Sequence, residues 1–464
     1  MQEAANEIGV RVAAPRRALV SWVMFDWAAQ PYYTLVLTFL FAPYFANAVA
    51  GDAALGQAMW GYAAAAAGII IAIGSPFLGA LADGRGARKP WMALFSMIFI
   101  VALATLWLAV PGADTTTLAI VLAAFVVATA MAEFTTVFTN AIMPTLVPHD
   151  QLGRLSGTGW AVGYAGGLVS LAIMAGLVVA DPVSGKTLVG LDPILALDTT
   201  TREGDRLVGP FSAIWYALFM IPFFLFVPDT RRAEAAHGKP VTAELWETLR
   251  ELPSHRDMLL FLVARMLYAD GLAAIFAFGG IYGAAVFGWQ ARELGIFGIV
   301  LTLAGVFGGL IGGVLDDRVG SKRVIITSLL LLLVGALGIL SVDAGHVLFM
   351  TEVEPKAAGS APFSSVGEQV FLAFAVLVGL VAAPVQAASR ALLARLAPPE
   401  KMTQYFGLFA FSGKVTAFMA PLLVAAVTQA TGSQRIGMAS IAVFLVVGLV
   451  MMLSVRAPSG PRGA

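Results

Sequence analysis

Twelve apolar runs of 19 to 30 residues recur along the chain, at 19–48, 57–81, 90–110, 117–142, 156–180, 210–228, 258–287, 294–315, 323–342, 368–394, 404–430 and 436–455. A hydrocarbon layer about 30 Å thick is crossed by roughly 20 helical residues, whereas an open sheet would leave its edge amides and carbonyls unpaired in lipid. The runs therefore predict an all-α membrane protein with twelve transmembrane helices. Composition agrees. Hydrophobic residues make up 59% of the 464 and charged residues only 12%, against about 25% charged in a soluble domain. That leaves too little polar surface to cover a soluble core. Residues 1–17 are polar and basic, and the run after them is too long for a signal-peptide core, so it reads as the first span.

The sequence excludes several function classes. Twenty-eight Lys and Arg balance twenty-eight Asp and Glu, so there is no basic field to concentrate nucleic acid. Without cysteine there is no thiolate nucleophile and no Cys-ligated metal. His149, His237, His255 and His346 fall in polar breaks and none belongs to an H-E-x-x-H pair. Gly185-Lys186-Thr187 ends like a phosphate loop, but Ala180 stands where its first glycine belongs. No nucleophile–base set is recognisable, so an enzyme is not expected, and neither a cofactor nor a metal.

Long breaks at 181–209, 229–257 and 343–367 set the organisation. The middle one separates six runs from six. The expected plan is an N-terminal segment 1–18, a six-helix half 19–228, a central loop 229–257, a second half 258–455 and a tail 456–464. Within the central loop, Val241, Leu245, Trp246, Leu249 and Leu252 recur at helical spacing among charges, which predicts an amphipathic helix at the membrane surface. An even number of spans puts both termini on one side. Placing them in the cytoplasm gives 19 loop cations inside and 6 outside, the bias expected of a multi-pass protein of a bacterial inner membrane.

The second and eighth runs end in related loops, Gly79-Ala-Leu-Ala-Asp83-Gly-Arg85-Gly86-Ala-Arg88-Lys89 and Gly313-Val-Leu-Asp316-Asp317-Arg318-Val-Gly320-Ser-Lys322-Arg323. A loop repeated half a chain apart marks parallel six-helix repeats. In these residues the sequence resembles the major facilitator superfamily, although Gly84, Ala87 and Ser321 depart from its basic pattern. A finer resemblance runs through Ser21-Trp22-Val-Met-Phe-Asp26-Trp27-Ala-Ala-Gln30-Pro31-Tyr32, Tyr268-Ala-Asp270-Gly271, Gln386-Ala-Ala-Ser389-Arg390, Tyr405-Phe406-Gly407 and Ser412-Gly413-Lys414. These look like the vacuole-effluxer family, whose fungal members export amino acids from the vacuole during autophagy. The resemblance implies two six-helix halves rocking about a central site. It also makes Gly79, Asp83, Arg88, Lys89, Gly313, Asp317, Lys322 and Arg323 a conformational latch of the outward-facing state.

Ionisable side chains inside spans are costly and generally face a cavity or a partner. Asp26, Glu133, Arg265, Asp270, Arg390 and Lys414 are the six such groups read from the runs. Asp270 and Lys414 fall near mid-membrane, and Arg390 lies close enough to a span end to snorkel. Polar stripes accompany them: Asp26, Gln30 and Tyr33; Glu133, Thr136 and Asn140; Gln386, Ser389 and Arg390. Pairing across helices would explain the same residues by packing alone. Glycine ladders at 159, 163, 167 and at 305, 309, 313 suit close helix contact, expected between the fifth and eighth spans. Trp60, Trp91, Trp107 and Trp289 near span ends read as interfacial anchors.

The expected function is secondary transport, by alternating access, of a small polar or zwitterionic solute such as an amino acid. Protons are a candidate coupling ion through the buried carboxylates. The expected contacts are solute, protons and membrane lipid. A lipid translocase or membrane receptor on the same fold is the alternative, against which six buried charges argue.

Overall fold

The computed structural model describes residues 13–229, 241–357 and 360–456. The chain before residue 13, the beginning of the central loop and the end of the tail lie outside the described residues. The protein is nearly all helical, and among the described residues eleven helices are long and apolar enough to cross a membrane. Numbered in chain order, the main helices are α1 Arg16–Pro31, α2 Ala53–Arg85, α3 Lys89–Thr105, α4 Thr115–Leu146, α5 Leu152–Ile173 and α6 Val208–Phe226. After them come α7 Val241–Glu251, α8 Arg256–Phe287, α9 Ala291–Val319, α10 Ser321–Leu340 and α11 Val366–Leu396. The last are α12 Met402–Ser412, α13 Met419–Thr431, α14 Gln434–Ala439 and α15 Ile441–Ser454.

Two spans depart from the expected plan. The first runs as α-helix only to Pro31 and continues as π-helix over Tyr32–Phe39; a proline in a helix interior removes one amide bond and crowds the preceding turn. The eleventh run, expected as one helix over 404–430, is two helices, α12 and α13, joined by turns over 413–418. The hydrogen bonds Val415 N to Phe411 O, Ala417 N to Lys414 O and Met419 N to Thr416 O close turns of three and four residues there. Pro421, in the first turn of α13, cannot donate to the carbonyl four residues back, and its ring crowds that carbonyl. Among the described residues, eleven long apolar helices and this divided one lie along the twelve expected runs.

The chain forms two compact units. Unit 1 holds residues 1–148, 162–242 and 400–410; unit 2 holds 149–161, 243–399 and 411–464. The start of α5 is thus counted with the second unit and most of α12 with the first. In unit 1, α1 packs on α6 and α3 and α2 pack on α4, around a core that includes Trp22, Phe99, Phe125, Phe138, Tyr216 and Phe223. In unit 2, α11 packs against α9 and α10, and α8 against α15.

The glycines of α5 do not form the expected ladder. Gly157 abuts Gly309 and Gly313, and a Cβ on Gly313 would lie 2.8 Å from Gly153 O. Gly163, Gly166 and Gly167 turn instead to α1, against Asp26, Trp27 and Gln30. The face that meets α9 is therefore 153 and 157; at 100° per residue a ladder two positions on faces elsewhere. The break 343–367 holds a small antiparallel hairpin, β1 His346–Val347 with β2 Thr351–Glu352. The amphipathic segment is helical as α7, with Trp246 exposed and Thr248 and Leu252 buried.

Candidate functional site

The polar residues of unit 1 gather on α1 and α4. Tyr33 lies beside Glu133, Thr136 and Asp26. Gln30 Nε2 donates to Thr34 Oγ1 at 3.5 Å, and Tyr32 shares a 2.5 Å hydrogen bond with Thr129. Asp26 and Gln30 are half-buried, and Gly163 lets α5 approach them, since a Cβ there would meet Asp26 Cβ at 3.2 Å. The structure thus brings together Asp26, Gln30, Tyr33 and Glu133, with Asn140 buried farther along α4.

Unit 2 carries most of the cations. Arg265 Nη1 donates to Ser412 Oγ at 3.0 Å, and its guanidinium lies 2.6 Å from where a Cβ on Gly413 would stand. Lys414 is half-buried within the turns that divide the eleventh span. Asp270, only 2% exposed, faces the Thr416 hydroxyl in those turns. Neither Asp270 Oδ2 nor Thr416 Oγ1 has a hydrogen-bond partner among the described residues. A buried carboxylate oxygen left this way is costly, and a bound donor would satisfy it.

Arg390 is placed differently. Instead of reaching toward a span end, it is 5% exposed, and its Nε and Nη2 donate to Ser156 Oγ at 2.8 Å and Ser156 O at 2.6 Å. Nearby, Tyr268 and Ser389 share a 2.6 Å hydrogen bond. Gln386 folds back on its own helix, onto Ala382 O at 3.2 Å.

Each repeated loop sets a carboxylate on the first amides of another helix, where orphan donors and the helix dipole favour an anion. Asp83 accepts from Thr403 N and Gln404 N at 3.2 and 2.9 Å, and pairs with Arg88 at 3.1 Å. Arg88 also donates to Thr403 Oγ1 at 2.8 Å and Ala141 O at 3.3 Å. Gly79 is required beside them, because a Cβ there would lie 2.6 Å from Thr403 O. Lys89 Nζ donates to Phe224 O at 2.9 Å.

In unit 2, Asp317 accepts from Gly153 N at 2.8 Å and Arg154 N at 3.1 Å. Its neighbour Asp316 pairs with Arg395 at 2.5 Å and accepts from Ser321 at 2.7 Å. Here the basic partner comes from α11, not from the loop: Lys322 donates to Leu453 O at 2.8 Å, and Arg323 is exposed.

One buried charge escaped the sequence reading. Glu368, in the first turn of α11, is fully buried and accepts from Trp289 Nε1 at 2.8 Å and Lys356 Nζ at 2.8 Å. Ser365 completes a capping box with it. Trp289 is accordingly no interfacial anchor. It is 4% exposed, among the rings of Phe287, Phe297, Phe363 and Phe371.

Paired six-helix sequence halves, a duplicated carboxylate-to-helix loop and charges buried within spans define a transporter of the major facilitator type. Residues 148–464 match the family described as vacuole effluxer Atg22 like, and the chain belongs to that family. It is 24% identical over 444 residues to the uncharacterized MFS-type transporter YxiO of Bacillus subtilis, covering 93% of each chain. Autophagy-related protein 22 of Cryptococcus neoformans is 27% identical over 327 residues, covering 67% of this chain and 52% of that one. The chain thus spans about half the length of that fungal relative. Among solved structures, the human organic anion transporter MFSD10 superposes with a TM-score of 0.68 at 16% identity, over 94% of this chain and 99% of that one. The E. coli fucose:proton symporter FucP gives 0.68 at 14%, over 95% and 98%. Both likenesses concern the fold.

Proposed function

We propose that the protein moves a small zwitterionic or similarly polar solute, an amino acid or close relative, by alternating access. The observation that carries this reading is Asp270, a buried carboxylate with an unsatisfied oxygen beside a helix break that holds Lys414. An ammonium group would satisfy the Asp270 oxygen and the nearby Lys414 would attract a carboxylate, whereas an apolar cargo would leave that oxygen desolvated without compensation. Arg390, engaged with Ser156, serves the packing of unit 2 in this reading. The carboxylates within spans, half-buried Asp26 and Glu133 and buried Asp270, couple transport to protons. An amino acid is what the vacuole-effluxer resemblance implies, and the loop-cation bias supports a bacterial cytoplasmic membrane.

Purified protein screened by thermal shift against amino acids, peptides and osmolytes should show a ligand-dependent rise in stability. For the ligand so found, Asp270→Asn and Lys414→Ala should each weaken binding measured by calorimetry by about 1.5 to 3 kcal/mol, roughly ten- to a hundredfold. Unchanged affinity in both variants would place the solute elsewhere. An imposed pH gradient should drive uptake into liposomes.

Both termini are cytoplasmic in this reading, as the 19-to-6 distribution of loop cations supports. With no native cysteine, single cysteines can test it. One at Asp114 should react with an impermeant thiol reagent in intact cells and one at Ala87 should not; labelling at Ala87 rejects the orientation.

A further inference from the structure

The last turn of α10 ends with carbonyls that have no helical partner, as every helix does. Arg435 Nε donates to Leu340 O at 2.7 Å, and the Phe349 amide returns to Ser341 O at 3.0 Å. The hairpin makes that return possible: β1 and β2 pair His346 with Glu352 and Val347 with Thr351. Asp343 fixes its base, accepting from Gly345 N at 3.0 Å and His346 N at 2.8 Å and pairing with Arg435 at 3.5 Å.

Between the strands stand Leu348, Phe349 and Met350. Leu348 and Phe349 have φ of 53° and 66°, a left-handed conformation unfavourable for bulky residues and usual for Gly or Asn. Their side chains gain no burial in return: Leu348 is 54% exposed, Phe349 59% and Met350 85%. Arg435 lies 5.0 Å from the Phe349 ring, a polar support beside the apolar tip.

The helix that carries the tip is itself exposed along an apolar face. Leu330, Val334 and Leu337 on α10 are exposed at i, i+4 and i+7, one apolar stripe of a membrane span. Ile436 on α14, next to Arg435, is exposed as well. A single hydrogen bond ties Phe349 to the residue after α10, so the tip stays at the level where the span ends.

We propose that Leu348, Phe349 and Met350 form an interfacial anchor, inserted among the phospholipids of the leaflet at that end of α10. Apolar side chains at this level leave water by entering the boundary between head groups and acyl chains, roughly 5 to 10 Å deep. Asp343, Gly345 and His346 at the base stay with the polar layer. This inference is independent of the transported solute.

The test uses the full chain in nanodiscs, with one cysteine at Met350 carrying an environment-sensitive fluorophore and a second protein labelled at Glu354, an exposed polar position in the same loop. Lipids bearing a nitroxide high on the acyl chain should quench the Met350 label several-fold more than the Glu354 label. Adding Leu348→Asn and Phe349→Asn, which tolerate the left-handed backbone, should bring the Met350 signal down to the Glu354 level. Water-like emission at Met350 without lipid quenching overturns the anchor. So does apolar emission that ignores the lipid nitroxide and scales with protein concentration, which would mean contact between copies. Quenching that survives the double substitution also overturns it, because the tip side chains would not be what inserts.

Discussion

Lys356→Met should lower the unfolding free energy in detergent by about 3 kcal/mol, at the lower end of the cost of removing one partner from a buried ion pair. Glu368 is fully buried, and Lys356 supplies the counter-charge at 2.8 Å. Trp289 and Ser365 would still donate to the carboxylate, which keeps the loss from being larger. Glu368→Gln should cost less, about 1 kcal/mol, because a neutral amide keeps much of the hydrogen bonding and leaves no buried charge unpaired. Lys356 can then take its ammonium into water. Chemical denaturation followed by tryptophan emission would read both. The account fails if Lys356→Met is as stable as the parent, or if Glu368→Gln is the more damaging of the two.

Glu368 also shows where the sequence was legible and where it was not. Apolar runs locate spans because each must match one hydrocarbon thickness, and the repeated Gly–Asp–basic loops locate two span ends because their chemistry is local. Glu368 stands at the edge of a run, where a charge reads as solvated. The signal that could have exposed it is Ser365-x-x-Glu368 ahead of an apolar run, a capping-box pattern that fixes the helix start and turns the carboxylate back along the chain.

The break of the eleventh span was similarly available in Gly413 and Pro421. Hydropathy averages over both, since glycine and proline change backbone geometry without changing the polarity of a run. Which face of α5 meets α9 was not available in the same way. Glycines at 153, 157, 159, 163, 166 and 167 offer several four-residue ladders, and only the packing of the helices selects Gly153 and Gly157. Arg390 is ambiguous in sequence for a related reason: its depth from a span end allows snorkelling, and only the packing shows that the Ser156 hydroxyl and carbonyl hold it inside.

The carboxylates Asp83 and Asp317 should differ in what their removal costs, although the loops look alike in sequence. Asp83→Ala removes the acceptor for two amides at the start of α12 and leaves Arg88, only 8% exposed, without its carboxylate. An unpaired buried charge costs about 3 to 5 kcal/mol, and a lost N-terminal acceptor adds about 1 kcal/mol. Arg88 keeps Thr403 Oγ1 and Ala141 O, so a loss near 3 kcal/mol is expected for Asp83→Ala by the same reasoning. Asp317→Ala removes the corresponding acceptor from Gly153 and Arg154, but Arg395 retains Asp316 at 2.5 Å. No buried cation is stranded, and the loss should stay near 1 kcal/mol. Asn at either site keeps the shape and one acceptor oxygen while removing the charge that favours a helix N-terminus. In the proposed latch role, Asp83→Asn and Asp317→Asn should bind solute like the parent in calorimetry yet transport it more slowly in liposomes. Equal stability losses for the two alanine variants would refute the asymmetry, and normal transport by both asparagine variants would refute the latch.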